Sequence, residues 1–292
     1  MTRGEILRKE LIILFVLLGV FLSIGCTGNQ SAAPNATVTP VTPVTPVTPV
    51  TPVTTVTPGT TSETITVSAA ASLTNAFTDI AAQFEKENPG TKISLNFGSS
   101  GNLRMQIEGG APVDVFASAD EKQMNLLNNK SLIDNSSRKD FTSNSLVLII
   151  PANSTLNITN ITDLTNPNVK LIGIGNPDTV PVGNYTKTAL TEAGLWSQLE
   201  NKMVPGEDVK AVLTYVEGNN VDAGFVYQTD AKSAKPGTIK VVANVSVSTP
   251  VSYPIAVVSA STHKETAQKF LDFVTGTEGQ EIMKEYGFGQ SR

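Results

Sequence analysis

Short apolar segments alternate with amphipathic helical segments from about residue 64 to the end of the chain. The apolar run ITVSAA precedes a stretch whose apolar residues recur at helical spacing, namely Phe77, Ile80, Ala81 and Phe84. Further along, VKAVLTYVE repeats this helical spacing and is followed by the strand-like DAGFVY. Such alternation predicts an α/β fold with mostly parallel sheets and helices on both faces. Ligands of these folds bind in a crevice at the carboxyl ends of the strands.

The N-terminal segment follows a different pattern and is expected to lie outside the globular body. Basic residues precede an apolar run of about fifteen residues, LIILFVLLGVFLSIG, which is shorter than a membrane-spanning helix of about 20 residues. The run ends at Cys26, the only cysteine of the chain. Ile24-Gly25-Cys26 resembles a lipoprotein cleavage box, with Ser23 in place of its usual Leu. We therefore expect a signal peptide over residues 1–25 and a lipid on Cys26.

Thr and Pro dominate the segment between Cys26 and the body. The repeat TVTPVTPVTPVTPVTPV has Pro at every third position, which favours extended polyproline II and cannot build a core. Segments of this kind act as semi-rigid spacers. We therefore expect residues 26–62 to form a stalk that tethers the body to the outer face of the cell membrane.

The net charge and the residue composition of the chain argue against several classes of function. The formal net charge is −5, whereas a nucleic-acid-binding protein needs a basic patch. His263 is the only histidine and stands in the polar run STHKET, so no Ser-His-Asp triad and no histidine metal cluster is indicated. The sequence contains neither of the Gly-rich loops that bind nucleotide phosphates. We therefore do not expect an enzyme, a nucleic-acid partner or a bound cofactor.

A recurring junction is more informative than any single residue. The segments AAASLTNAF, FGSSGNLRM, TVPVGNYTKTAL and VPGEDVKAVLTY each place small, hydroxyl-bearing or turn-forming residues where a helix is predicted to start. The first amides of a helix lack partners, and the helix dipole is positive there. Several such starts that converge would bind an anion without a cationic side chain. Any one of these serines, taken singly, is better explained as an ordinary helix N-cap.

These segments also resemble a known family. AAASLTNAFTDIAAQFEKENP, FGSSGNLRMQIEGGAPVDVFASAD, NPDTVPVGNYTKTAL, PGEDVKAVLTYVE, GFVYQTDA and YPIAVV together resemble the molybdate-binding protein of the molybdate ABC importer. The resemblance runs from about residue 65 to residue 288. It implies a monomer that binds molybdate, and often tungstate, and delivers it to a membrane permease.

The resemblance further implies a two-domain periplasmic-binding-protein fold with two chain crossings. We expect lobe one to comprise residues 63–144 and 250–292, and lobe two residues 145–249. The crossings are expected near residues 142–146 and 248–252. Binding in such a fold is expected to close the lobes on the ligand.

The family's ligand contacts carry over to five positions of this chain. The Ser of the family's A-A-S-L motif is Ser72, and the second Ser of its F-x-S-S motif is Ser100. Val182 lies between Pro and Gly in V-P-x-G, and Val209 follows Glu-Asp; both would contribute backbone amides. Tyr227 ends the strand GFVY and would donate its hydroxyl. The resemblance therefore implies an oxyanion bound by neutral donors alone, two from lobe one and three from lobe two.

Two departures from related patterns bear on this site. Gly101 stands third in the serine run, which removes one possible hydroxyl and predicts a looser helix start. A related archaeal tungstate and molybdate group adds two carboxylates that give the metal six ligands. The corresponding positions here are Val226 and, near V-P-x-G, Val180 and Val182. We therefore expect the bound metal to keep four oxides, without direct ligation by the protein.

Two alternative functions remain open at this point. A receptor for sulfate differs mainly in ligand size, while phosphate is disfavoured because its remaining proton needs an acceptor. A secreted hydrolase that uses Ser72 or Ser100 would need a base beside the serine, and the sequence indicates none.

Overall fold

The computed structural model describes residues 62–290. The predicted signal peptide, Cys26 and the stalk up to residue 61 lie outside the described residues. Within residues 62–290, none of the helices is long and apolar enough to span a membrane.

The first of two five-stranded sheets has the order β2-β1-β3-β10-β4. Its strands are β1 (Glu63–Ala70), β2 (Thr91–Gly98), β3 (Val115–Ala117), β4 (Lys139–Asn144) and β10 (Val251–Val257). Strand β1 pairs in parallel with β2 and β3, whereas β10 pairs antiparallel with β3 and β4. Four of these five described strands therefore share one direction, and β10 runs against them.

The second sheet repeats this arrangement with the order β7-β6-β8-β5-β9. Its strands are β5 (Leu146–Pro151), β6 (Ile172–Gly175), β7 (Met203–Gly206), β8 (Ala223–Tyr227) and β9 (Ile239–Val245). Strand β5 is antiparallel to β8 and β9, while β6 is parallel to β7 and β8. The expectation of two mixed sheets is confirmed, but neither is mostly parallel in its pairing, because each has two parallel and two antiparallel pairs of strands.

Helices flank both sheets. In lobe one, which carries the first sheet, they are α1 (Thr74–Glu87), α2 (Ser100–Glu108), α3 (Glu121–Asn129), α8 (Lys264–Thr275) and α9 (Thr277–Glu285). In lobe two, which carries the second sheet, they are α4 (Pro181–Glu192), α5 (Trp196–Leu199), α6 (Val209–Glu217) and α7 (Gln228–Lys232). Short 3₁₀ turns cover Ala71–Leu73, Ile161–Thr165 and Glu200–Lys202.

The chain passes between the sheets at two places. Strand β4 ends at Asn144 in the first sheet, and β5 begins at Leu146 in the second. Strand β9 ends at Val245, and β10 begins at Val251 back in the first sheet. The two strands that follow a crossing, β5 and β10, are the ones that run against their neighbours. This is the two-lobed α/β fold with two crossings that the family resemblance implies.

The predicted apolar helix faces form the cores of the lobes. On α1 the buried residues include Phe77, Ile80 and Phe84, and Phe84 packs edge-on against Phe270 of α8, with ring centroids 5.3 Å apart. On α6 the predicted apolar face is buried, namely Val209, Val212, Leu213 and Val216. Burial of these faces holds each helix against its sheet, and the position of the helix N-terminus in the lobe is fixed as a result.

Two edge strands escaped prediction. Strand β4 reads KDFTSN, a polar segment without clear alternation, yet it pairs with β10 at the sheet edge and buries Phe141 and Thr142. Strand β7 reads MVPG and contains Pro205, which an edge strand tolerates because one side makes no ladder bonds. Pairing across the sheet, rather than local pattern, places both segments.

Candidate functional site

One small cavity between the two lobes brings the five predicted positions together. Lined by Ser72, Ser100, Val182, Val209 and Tyr227 among others, it has a volume of about 10 Å³. Larger depressions lie elsewhere, including one of about 740 Å³ beside the chain crossings, but none of the five positions lines that one. The small cavity is therefore the candidate site.

Ser72 lies in the 3₁₀ turn that joins β1 to α1 and is 6% exposed. Its Oγ lies 2.9 Å from the hydroxyl of Tyr253, a residue of β10. The N-cap of α1 is Leu73, with no side-chain cap bond. Ser72 is therefore not an ordinary N-cap, and its hydroxyl is available to the cavity.

Ser100 is the first residue of α2 and is fully buried. Its Oγ accepts a hydrogen bond from the backbone N–H of Ala119 at 3.0 Å. The N-cap role belongs to Ser99, whose Oγ accepts from the amide of Asn102 at 3.4 Å. Because Ser100 uses its oxygen as an acceptor, its hydroxyl hydrogen remains free to donate.

Val182 and Val209 occupy the first turns of two helices in lobe two. Helix α4 begins at Pro181, so Val182 is its second residue, and Val209 is the first residue of α6. The first amides of a helix have no intrahelical partner. Both backbone amides are thus available as donors at the positive ends of helix dipoles.

Tyr227 ends β8 and is 1% exposed. Among the residues that the structure describes, its hydroxyl has no hydrogen-bond partner. Burial raises the pKa of Tyr227 well above its usual value, and the nearby Tyr253 adds to the shift, so the hydroxyl keeps its proton. A buried hydroxyl without a partner is costly, and a ligand that accepts its hydrogen would remove that cost.

Acidic groups also lie near the cavity, which the sequence did not predict. Asp208 lines it, and its carboxylate caps α6 by accepting from the amide of Ala211 at 2.9 Å. Asp120, the N-cap of α3, is buried beyond Ala119, and this burial raises the pKa of its carboxyl. No cationic side chain stands among the described residues that line the cavity. Any negative charge bound there must be met by hydrogen-bond donors and helix dipoles.

Gly101 has a different role from the one predicted. Helix α2 begins regularly at Ser100, so the expected looser start is wrong. Instead, the amide of Gly101 donates to the carbonyl of Thr179 in lobe two at 2.9 Å. A Cβ atom on Gly101 would lie 2.4 Å from that carbonyl oxygen. Glycine is thus required here because the two lobes meet backbone to backbone.

Sequence reasoning missed two polar neighbours of the site. Tyr253 contacts Ser72, and Asn144 donates to the Tyr253 hydroxyl at 3.2 Å. Tyr253 stands in the quoted motif YPIAVV, but nothing local marks its hydroxyl as a neighbour of Ser72. In residues 62–290, no group of three or more His, Cys, Asp or Glu side chains is arranged to hold a metal ion.

Two α/β lobes that enclose a small cavity lined by helix starts are the architecture of a protein that binds a small ligand between its lobes. The model of the family described as bacterial extracellular solute-binding protein matches residues 65–289. The chain belongs to that family.

Individual relatives agree with this assignment. The molybdate-binding protein ModA of Escherichia coli K12 is 43% identical over 230 residues, covering 77% of this chain and 88% of the relative. YvgL of Bacillus subtilis, named as an ABC transporter substrate-binding lipoprotein, is 32% identical over 281 residues, covering 96% of this chain and 98% of the relative. The solved structure of the Azotobacter vinelandii periplasmic molybdate-binding protein superposes with a TM-score of 0.69 at 25% identity, covering 78% of this chain and all of that one.

Proposed function

We propose that this protein captures molybdate, and also tungstate, between its two lobes and delivers it to an ABC permease. The observation that carries the proposal is the buried Tyr227 hydroxyl, which lacks a partner among the described residues and lines the cavity. Molybdate is a fully ionised tetrahedral oxyanion, which presents acceptors on all sides and has no hydrogen to donate. The relative named for molybdate binding supports this choice of ligand.

The energetics of the donor set are sufficient for tight binding. Each hydroxyl or amide hydrogen bond to a charged ligand contributes roughly 1.5–3 kcal/mol, and each helix end adds roughly 0.3–1 kcal/mol. We assign the hydroxyls of Ser72, Ser100 and Tyr227 and the amides of Val182 and Val209 as ligand contacts. Before the costs of desolvation and association are subtracted, their sum reaches the roughly 8–12 kcal/mol of micromolar to nanomolar binding.

The ligand would keep its tetrahedral geometry. Val180, Val182 and Val226 offer no side-chain oxygen to the metal, and the carboxylate of Asp208 is engaged as the cap of α6. X-ray absorption of the molybdate complex should therefore show four oxide neighbours. Two additional, longer metal–oxygen distances would contradict this assignment.

A competition titration tests the ligand choice. Calorimetry of the full-length protein in detergent with molybdate, tungstate and sulfate should give the tightest binding for the first two anions. Ser72→Ala should weaken molybdate binding about ten- to a hundredfold, the value of one charge-assisted hydrogen bond. Ser94→Ala, an exposed position of β2, is the matched control. Tighter binding of sulfate would assign the protein to that anion instead.

We also propose that lobe one (residues 63–144 and 250–292) and lobe two (residues 145–249) close on the ligand. Each lobe alone would contribute an incomplete donor set. Small-angle scattering should show a more compact protein after molybdate is added if the free protein opens in solution. An unchanged profile from a free protein that is already extended would contradict closure.

A lipid on Cys26 would hold this receptor on the outer face of the membrane, and the relative named as a lipoprotein supports this. Cys26→Ser should release the protein from membranes or block its maturation, as judged by fractionation. A cleaved Cys26→Ser protein that stays in the membrane fraction would count against the anchor.

A further inference from the structure

We propose that Asn144 and Tyr253 form a directional hydrogen-bond relay that orients the Ser72 hydroxyl as a donor to the bound anion. The inference rests on the proposed function and adds two positioning residues to the site. Neither residue needs to touch the ligand. Their role is to decide which of two hydroxyl groups keeps its hydrogen for the cavity.

The direction of the relay begins at the side-chain amide of Asn144. Its Oδ1 accepts from the backbone amide of Ser145 at 2.9 Å, which identifies the other amide atom as Nδ2. That nitrogen carries two hydrogens and accepts none. It lies 2.8 Å from Oγ1 of Thr229 and 3.2 Å from the hydroxyl of Tyr253. Asn144 therefore donates one hydrogen to each of these oxygens.

The Tyr253 hydroxyl, which accepts a hydrogen bond from Asn144, donates its own hydrogen to Ser72. Its hydroxyl has one hydrogen, and burial raises the pKa of Tyr253 well above the usual value, so that hydrogen is retained. Because the oxygen already accepts from Asn144, the hydrogen is free to point at Oγ of Ser72, 2.9 Å away. Ser72 is then the acceptor in this contact. Its own hydrogen remains for an acceptor in the cavity.

The ring of Tyr253 is held firmly enough to serve this purpose. Its side chain is fully buried, and its ring packs against Tyr227 at 5.9 Å and Phe288 at 5.7 Å between centroids. A fixed ring restricts the hydroxyl hydrogen to a few directions in the ring plane. In a buried network, the alternative arrangement would aim the Ser72 hydrogen at Tyr253 and present a lone pair to the anion.

The test reverses the direction of the hydrogen bonds by changing Asn144, the residue at which the relay begins. Asn144→Asp replaces the donor nitrogen with an acceptor oxygen, so Tyr253 would donate to the new carboxylate. Ser72 would then donate to Tyr253 and lose its hydrogen for the anion. We expect molybdate affinity in calorimetry to fall about ten- to a hundredfold, as much as in Ser72→Ala.

The Tyr253→Phe background separates reversal from simple charge repulsion. Tyr253→Phe by itself removes a neutral hydrogen bond and should weaken binding about three- to tenfold. In that background Asn144→Asp should cost little more, because the connection to Ser72 is missing. Coupling of this kind is what a double-mutant cycle measures. An equal loss from Asn144→Asp in both backgrounds, or no loss in either, would overturn the relay.

Neutron diffraction of the deuterated, ligand-free protein gives a readout that needs neither variant nor ligand. The relay predicts a deuterium on the Tyr253 oxygen that points to Ser72, and a second on Ser72 that points away from Tyr253. A deuterium on Ser72 directed at Tyr253 would overturn the proposal. If the wild-type protein binds none of molybdate, tungstate and sulfate, the proposed function fails, and this measurement still decides the relay.

Discussion

The two lobes contribute donors of different kinds to the same cavity. In lobe one, Ser72 and Ser100 already have protein partners, the hydroxyl of Tyr253 and the amide of Ala119. In lobe two, the Tyr227 hydroxyl has no partner among the described residues. Removal of a satisfied serine leaves its partner short of a hydrogen bond, whereas removal of the Tyr227 hydroxyl leaves nothing unpaired. In the proposed complex, the hydroxyls of lobe one are positioned by protein partners before the ligand arrives, whereas the Tyr227 hydroxyl of lobe two gains its partner from the ligand.

The largest effect is expected where the lobes touch. Gly101→Ala would place a Cβ atom 2.4 Å from the Thr179 carbonyl oxygen and would keep the lobes apart. Without closure the anion loses the donors of lobe two. We therefore expect an affinity loss in calorimetry of about a hundredfold or more, from the summed loss of several charge-assisted hydrogen bonds.

Gly109→Ala at the other end of α2 is the control, since the nearest atom to its Cβ would be 3.4 Å away. It should leave the affinity nearly unchanged. Wild-type affinity in Gly101→Ala would mean that the lobes need not meet at this point.

Tyr227→Phe should separate affinity from stability. The anion would lose one donor, for an expected weakening of about ten- to a hundredfold. In the closed arrangement that the structure describes, the ligand-free protein should become more stable, because an unpaired buried hydroxyl costs about 1–3 kcal/mol. Titration and chemical unfolding measure the two effects. Tyr215→Phe, on a half-buried tyrosine of the same lobe outside the cavity, is the control, and reduced stability in Tyr227→Phe would contradict the comparison.

Ser100→Ala should lower both the affinity for the anion and the free energy of unfolding. It removes a donor to the anion, for about a ten- to hundredfold loss of affinity. It also leaves the Ala119 amide without its acceptor, which should lower the unfolding free energy by about 1–3 kcal/mol. Ser94→Ala provides the exposed comparison in the same unfolding experiment. Unchanged stability would show that the hydrogen bond between Ala119 and Ser100 does not stabilise the fold, and that Ser100 resembles Tyr227 in this respect.

The smallest expected effect is on the pH dependence of stability, and it concerns one buried aspartate in each lobe. Burial raises the carboxyl pKa both of Asp230 in lobe two, where Lys210 at 3.1 Å opposes the shift, and of Asp120 in lobe one, where no such cation among the described residues is paired with the carboxylate at the cap of α3. A raised folded-state pKa means that the folded state binds the proton more tightly than the unfolded state. The contribution of Asp120 to stability should therefore fall as the pH rises from the ordinary carboxyl pKa through the raised one.

Asp120→Asn keeps an acceptor for the Gln123 amide and removes this titration. Unfolding free energies measured across that pH window should be flatter for the variant and higher than wild type at neutral pH. A variant as pH-dependent as the wild type would assign the dependence to another group.

Much of the molecule could be predicted because the relevant signals are local. Helical spacing identified the buried faces of α1 and α6, and small residues before each helix located the helix starts that reach the cavity. The resemblance to a family then selected the two-lobed fold and the five candidate positions. The sequence could not distinguish Ser99 from Ser100 as the N-cap of α2, because both stand at the same junction.

What the sequence determined by itself is therefore the set of elements and the side chains at their ends. The tertiary structure decided which of these ends face one another. Ser72 and Tyr253 are 181 residues apart and meet because β3 alone separates β1 from β10 in the first sheet. Gly101 meets Thr179 because the two lobes pack at that point. Periodicity and junction chemistry report on neighbours along the chain, whereas these contacts depend on sheet order and on the two chain crossings.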